Sequence, residues 1–425
     1  MYQVGFGDCF LMTLAYPAPL EDGRDERQIL IDFGSTRLPK SAAHLDEIAQ
    51  LIADDASGVL DVLVATHRHK DHVSGFGSDA SAATIDALNP KLVVRSWTED
   101  PAAPSDGTGM TSAGLVHRLR IGQEFAEGVA ADTEGASPNS NRGKLAKLAL
   151  AQLSNEDAVN QLRAWGDRSA AAYVSYGGHS RIEEFVPGIR VTVLGPPTLE
   201  QRPDIARQRD VDPDEFWMLY QDFVETQGVR GWESPTRPPE GTEPSRVPPG
   251  PVQWLAERLE SQRTASFTRI VQILDDVLNN TSVILLFEIG DKRLLFPGDA
   301  QIENWEYALK YAPDAGDNRE LLRGIDLYKV GHHGSRNATP RTLFDLWNEP
   351  ATKDRPLTCL LSTLAGVHGE TEETRVPRST LVAALEKRAS LHSTDGSAPG
   401  SPRVQVLTDA SGQGPFESGI EVGPA

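Results

Sequence analysis

The chain has 425 residues, 39% of them hydrophobic, enough for a large buried core in one elaborated domain or two to three ordinary ones. A formal charge of −20 argues against nonspecific adhesion to nucleic acid or anionic membranes. Two cysteines give no disulfide framework, and no apolar run reaches the roughly 18 residues of a membrane span, so a cytoplasmic protein with no membrane partner is expected.

The N-terminus lacks a basic stretch before an apolar core, and the chain opens almost within its first predicted strand, so a few upstream residues are expected. "YQVGFGDCFLMTLAY" and "RQILIDFGS" read as two strands joined by a polar turn. A helix over 41–53 precedes the strand "VLDVLVAT". From 97 to 184 the sequence is polar and rich in small residues, with helical stretches at 143–153 and 155–165. A strand returns at "IRVTVLGPP". Residues 234–251 are dense in proline, which excludes helix and central strand, and 252–278 reads as an amphipathic helix. "SVILLFEIGDKRLLFPGD" predicts a hairpin turning at Gly290 and Asp291. A helix over 303–311, the strand "DLYKVGHHGS" and further alternating elements to "PRVQVLTD" complete the pattern. Two strand-rich halves with helical segments between them fit two packed sheets with outer helices.

The stretch "ATHRHKDHVSG", Ala65–Gly75, holds three of the chain's ten histidines. On extended backbone, His67, His69 and Asp71 face one side while Arg68 and Lys70 face the other. A helix beginning just after Asp71 turns His72 back to the same pocket. Such a set suits two adjacent divalent ions, with zinc favoured by its imidazole and carboxylate ligands and manganese or iron also compatible. The plain alternative is a polar loop whose histidines cluster by accident.

"THRHKDH" matches the HxHxDH signature of the metallo-β-lactamase superfamily, and the chain resembles that superfamily in the order of its other motifs. "QVGFGD", "NNTSVILLFEIGDKRLLFPGDA" and "YKVGHHGSRNATP" are similar to the metallo-hydrolase domain of the ComEC competence channel and to related choline-phosphate esterases. "LTCLLSTLAG" and "VPRSTLVAALEKR" extend the likeness towards the C-terminus. The resemblance implies an α/β fold, the αββα sandwich of the metallo-β-lactamase family, as one domain over 1–425 with partly helical inserts at about 98–185 and 198–275. It implies that Asp32 in "ILIDFGS" supports the metal loop from behind, that Asp299 in "LLFPGDA" bridges two ions, and that His332 or His333 supplies a late ligand. Asp71 and Asp299 are then the catalytic carboxylates. Asp8 either supports the site or caps its own turn, Ser335 and Asn337 are substrate candidates that turn formation explains almost as well, and Arg336 is a candidate to stabilise charge developing on the substrate.

The likeness has a gap. Many superfamily members carry a further histidine before the Gly-Asp strand, and "VTVLGPP" has none, so His179 or His117 stands as a candidate replacement. His368 lies in a glycine-containing loop of the kind that approaches the active site in the superfamily, His392 is isolated, and His44 reads as structural. The implied activity is metal-dependent hydrolysis by a metal-activated water, first on a phosphodiester as a phosphodiesterase or nuclease. The same fold also admits a lactone, thioester or amide substrate, and a scaffold binding a partner through its inserts is the alternative of another class. A small molecule or single-stranded nucleic acid suits the negative charge better than long duplex, with Arg336 and Lys329 as candidates to hold a second phosphate.

Overall fold

The computed structural model describes residues 1–39, 44–103, 155–206, 277–337, 339–347, 357–367 and 375–395, with short pieces within 112–119 and 212–217 and a strand pair at 404–406 and 422–424. Each apolar run of the N-terminal half becomes a strand of one sheet. β1 (Cys9–Ala15) pairs antiparallel with β2 (Glu26–Phe33), and β3 (Val62–Val64), β4 (Leu92–Ser96) and β5 (Ala171–Val174) add in parallel, in the order β1-β2-β3-β4-β5. The second sheet repeats this scheme. β6 (Ile189–Gly195), β7 (Ile284–Ile289) and β8 (Lys292–Phe296) form an antiparallel meander, and β9 (Leu327–Lys329), β10 (Leu357–Leu361) and β11 (Ala389–Ser393) extend it in parallel.

Side-chain alternation explains how the sheets stack. Ile29, Ile31, Val62, Val64, Leu92 and Val94 of the first sheet share one core with Leu285, Phe287, Leu294, Leu327 and Leu360 of the second. The intervening residues point outwards. Leu30, Leu63 and Val93 pack against α1 (Leu45–Asp55), α3 (Asp79–Ala87) and α4 (Glu156–Arg168), which contribute Ile48, Ile85 and Trp165. The short α5 (Ile182–Phe185) adds Ile182 to the core between the sheets. Ile284, Leu286, Tyr328 and Leu361 meet the helices of the C-terminal half, including α6 (Ile302–Glu306), α7 (Ala315–Arg323), α8 (Arg341–Phe344) and α9 (Ser379–Glu386). The layers therefore run helix, sheet, sheet, helix, a mixed α/β architecture. Burying one such Leu or Ile contributes about 1.5–3 kcal/mol, so the shared core dominates the cohesion of the two sheets.

One boundary differs from the sequence reading. Residues 156–174 fall in the stretch assigned to the first insert, yet α4 packs on the first sheet and β5 is its edge strand. β5 carries little sequence signal because it is four residues long, follows polar sequence and pairs only on one side. The predicted helix at 143–153 and the proline-rich 234–251 lie outside the described residues. The predicted hairpin turn is present, with Gly290 at φ 58. No described helix is long and apolar enough to cross a membrane. Cys9 and Cys359 are both buried and unpaired.

Candidate metal centre

The site gathers where β2, β3, β8, β9 and β10 end, at the carboxyl edge of their parallel runs, with the start of β1 alongside. α2 (Lys70–Val73) opens two residues earlier than the sequence suggests, with His69 as its N-cap. Asp71 therefore sits in the first helical turn beside His72, and the loop 66–72 folds back over Gly7 and Gly34. A Cβ on Gly34 would come within 2.5–2.6 Å of the backbone of Lys70, Asp71 and His72, so only glycine admits this approach. Gly298 at φ 55 does the same for the turn carrying Asp299, where a Cβ would meet Thr66 at 2.8 Å.

Four donor atoms converge. Asp71, His72, Asp299 and His333 each bring one ligand atom within 4.8 Å of all the others. His333 Nε2 is 3.0 Å from Asp71 Oδ2 and 3.6 Å from Asp299 Oδ2. His72 Nε2 lies 3.1 Å from Asp299 Oδ2, and its ring is fully buried. A buried nitrogen and a buried carboxylate oxygen facing one point in this way fit a cation between them.

The backs of both rings are fixed. Ser362 O lies 3.0 Å from His333 Nδ1, and a carbonyl only accepts, so Nδ1 carries the proton and Nε2 faces the cluster. Asp32 Oδ2 lies 2.8 Å from His72 Nδ1 and orients that ring similarly. Asp32 is itself held by Thr66, whose backbone N and Oγ1 each donate at 2.7 Å. A second group, Asp8, Asp32 and His72, lies behind the first, but there His72 Nδ1 faces Asp32 and Asp8 faces Lys329, so its donors are already engaged.

Electrostatics follow from burial against these partners. Burial disfavours the His72 imidazolium, yet Asp299 and Asp32 outweigh it and hold the ring well above its ordinary pKa. His333 is raised by Asp299, Asp8 and Asp71 against the same burial penalty. Burial opposes ionisation of Asp299 as well, and His72, Lys329 and His333 still hold it well below the usual carboxylate range. His67 is the opposite case: burial and the neighbouring His72 and His69 rings push it well below the ordinary imidazole value.

Backbone strain accompanies the site. Asp32, His332 and His333 occupy the left-handed region at φ 56, 41 and 51, conformations that non-glycine residues adopt at a cost of order 1–3 kcal/mol each. The two consecutive left-handed residues separate the histidine pair. His333 is fully buried within the four-donor group, while His332 is a quarter exposed with its Nε2 4.0 Å from Asp299 Oδ2.

The remaining expected residues divide. His67 and His69 meet each other, Nε2 to Nδ1 at 3.0 Å, and neither belongs to the four-donor group. His179 lies apart from it: its side chain is 67% exposed and its Nε2 is 3.9 Å from Glu183, so it does not fill the place of the absent histidine here. His117 and His368 lie outside the described residues. Ser335 Oγ donates to Asn337 Oδ1 at 2.7 Å, a bond within its own turn. Lys329 is buried against Asp8 and Asp299, which removes it as a contact for a second phosphate, whereas Arg336 stays partly exposed with its guanidinium 5.9 Å from the Phe216 ring. Asp8 is fully buried, 3.5 Å from His333 Nδ1.

Sequence reasoning missed what holds the histidine loop. Trp217 donates its backbone N to Arg336 O and its Nε1 to Thr339 O, and its own carbonyl accepts from Arg378 Nε at 2.6 Å. Arg378 N in turn donates to Gly334 O at 2.7 Å, and Glu215 accepts from Thr342 N at the start of α8. The signal was present as an aromatic pair, Phe216-Trp217, opening an apolar run after acidic sequence.

Compared with known proteins, the chain matches no family model, and no curated protein matches it.

Proposed function

We propose that this protein is a metal-dependent hydrolase of the metallo-β-lactamase fold, acting on a phosphodiester. The observation that carries the reading is the four-donor group Asp71, His72, Asp299 and His333, with the Nδ1 atoms of both rings engaged from behind. The stacking of two mixed sheets between helices supports the fold assignment. The four donors would hold one divalent ion, and His67 with His69 would contribute to a second, zinc first and manganese or iron next. Bound divalent ions supply a nucleophile from water near neutral pH and polarise the bond to be cleaved.

The chain's own residues do the rest. His72 and His333 present Nε2 because Asp32 and the Ser362 carbonyl engage Nδ1. Asp71 is the more exposed carboxylate of the pair, 15% against 1% for Asp299, so it would orient the incoming water. Arg336 stands beside the histidine loop to meet an anionic group of the substrate. We place the enzyme in the cytoplasm, where unpaired thiols are ordinary. The motif likeness to phosphoesterases favours the phosphodiester over a lactone, thioester or amide.

Elemental analysis of protein purified without chelator tests the centre, with at least about one equivalent of zinc, manganese or iron expected. Less than about half an equivalent after reconstitution removes the reading. Turnover of bis(p-nitrophenyl) phosphate, single-stranded DNA and RNA, and duplex DNA is then compared with lactones and thioesters. A lactone or thioester preferred by about a hundredfold over every phosphodiester rejects the substrate class.

A further inference from the structure

Lys329 closes β9 and turns inwards, leaving 2% of its side chain exposed. A buried ammonium is costly unless each of its three N–H groups finds an acceptor. Three acceptors surround it: Gly298 O at 3.0 Å, Asp299 Oδ1 at 3.3 Å, and Asp8 Oδ2 in a short contact. Burial works against the charge, but Asp8 and Asp299 outweigh it and keep the group protonated above its ordinary range.

The arrangement divides the two oxygens of Asp299. Oδ1 receives Lys329 Nζ and the His332 backbone N, the latter at 3.0 Å. Oδ2 faces His72 Nε2 at 3.1 Å and His333 Nε2 at 3.6 Å. A carboxylate turns readily about its last torsion, which has broad and roughly two-fold preferences, so hydrogen bonds rather than packing must set its orientation.

We propose that Lys329 is a positioning residue, a resident cation that pins Asp299 Oδ1 so that Oδ2 alone is offered to an ion held with Asp71, His72 and His333. Asp8 balances its charge from the other side. The role rests on the metal-centre reading above. It gives Lys329 no contact with substrate, in contrast to what its place beside the histidine motif suggests in the sequence.

The test titrates the full-length chain with Zn²⁺ by calorimetry and records the visible absorption of the Co²⁺-loaded protein, whose bands report ligand number and geometry. Lys329→Met leaves Asp8 uncompensated and risks misfolding, so Asp8→Asn combined with Lys329→Met is made alongside it. Removing both partners of a buried pair leaves no orphan charge. Both variants are expected to bind the first Zn²⁺ at least ~10-fold more weakly, the scale seen when a ligand loses its outer partner. Their Co²⁺ bands are expected to shift while the double variant keeps the wild-type circular dichroism. Wild-type affinity and an unchanged Co²⁺ spectrum in the folded double variant overturn the assignment. If the wild-type chain binds neither metal, the metal-centre reading itself fails and this role falls with it.

Discussion

The two halves of the histidine cluster are built from one eleven-residue stretch, yet they differ in kind. Asp71 and His72 join Asp299 and His333, residues brought from the second sheet, and each ring has a partner behind it. His67 and His69 turn to each other, and a ring nitrogen of each is spent in that contact. A cation at the first half finds donors already in place. One at the second half must first separate a pair of imidazoles. Motif density thus marks where the candidate centre lies, while the turning of His67 and His69 to each other sets its second half apart from the first.

The largest effect bearing on this contrast is expected at Asp299, which serves the formed half directly. Asp299→Asn keeps the volume and removes the charge, so the first metal equivalent and nearly all turnover are lost. Retention of more than about a tenth of wild-type turnover shows that the residue does not hold the centre.

Next comes the histidine pair. His333→Ala is expected to weaken the first Zn²⁺ by more than ~100-fold, beyond the 10–100-fold attached to outer partners alone. His332→Ala is expected to leave that equivalent almost unchanged. The same titration on both variants decides, and the reverse ranking would exchange the roles assigned to them.

A smaller loss is expected one step further back. Asp32→Asn disturbs the bonds from Thr66 and the contact with His72 Nδ1, so the first ion weakens by ~10-fold while the fold persists. Equal weakening at both steps of a two-step titration erases the distinction between the halves.

The finest test follows protons. Metal-free His72 and His333 are raised above the ordinary imidazole pKa, so an incoming ion must displace more proton from them than from a free imidazole. His67 is depressed and already neutral. Uptake at the first step should release more protons than uptake involving His67. The sign fixes the pH trend: first-step affinity rises with pH until the raised histidines have lost their protons, then levels. Calorimetry in buffers of different ionisation enthalpy counts the protons, and equal release at both steps contradicts the assignment.

Much of this arrangement was legible in the sequence because it rests on local rules. Alternating apolar residues gave β2, β3, β7 and β8, and Gly290-Asp291 gave the turn of the hairpin. His67, His69, Asp71 and His72 announced themselves by density. What stayed hidden depended on distant residues meeting. Lys329 reads as a surface base until Asp8 closes over it, and Ser362 has no signature as the carbonyl behind His333. The choice between His332 and His333 was illegible for another reason: two left-handed residues in succession obey neither strand nor helix alternation.

The two cysteines have a practical consequence. Cys9 and Cys359 are buried, and burial pushes both thiols above their ordinary pKa, so neither competes for an alkylating label under native conditions. Tyr311, 56% exposed beside Arg202, is therefore a place where Tyr311→Cys would provide the one reactive handle on the molecule. A nitroxide attached there, read against Mn²⁺ or Co²⁺ bound as proposed in the cluster, would turn the chain into a magnetic ruler whose zero mark is the metal itself.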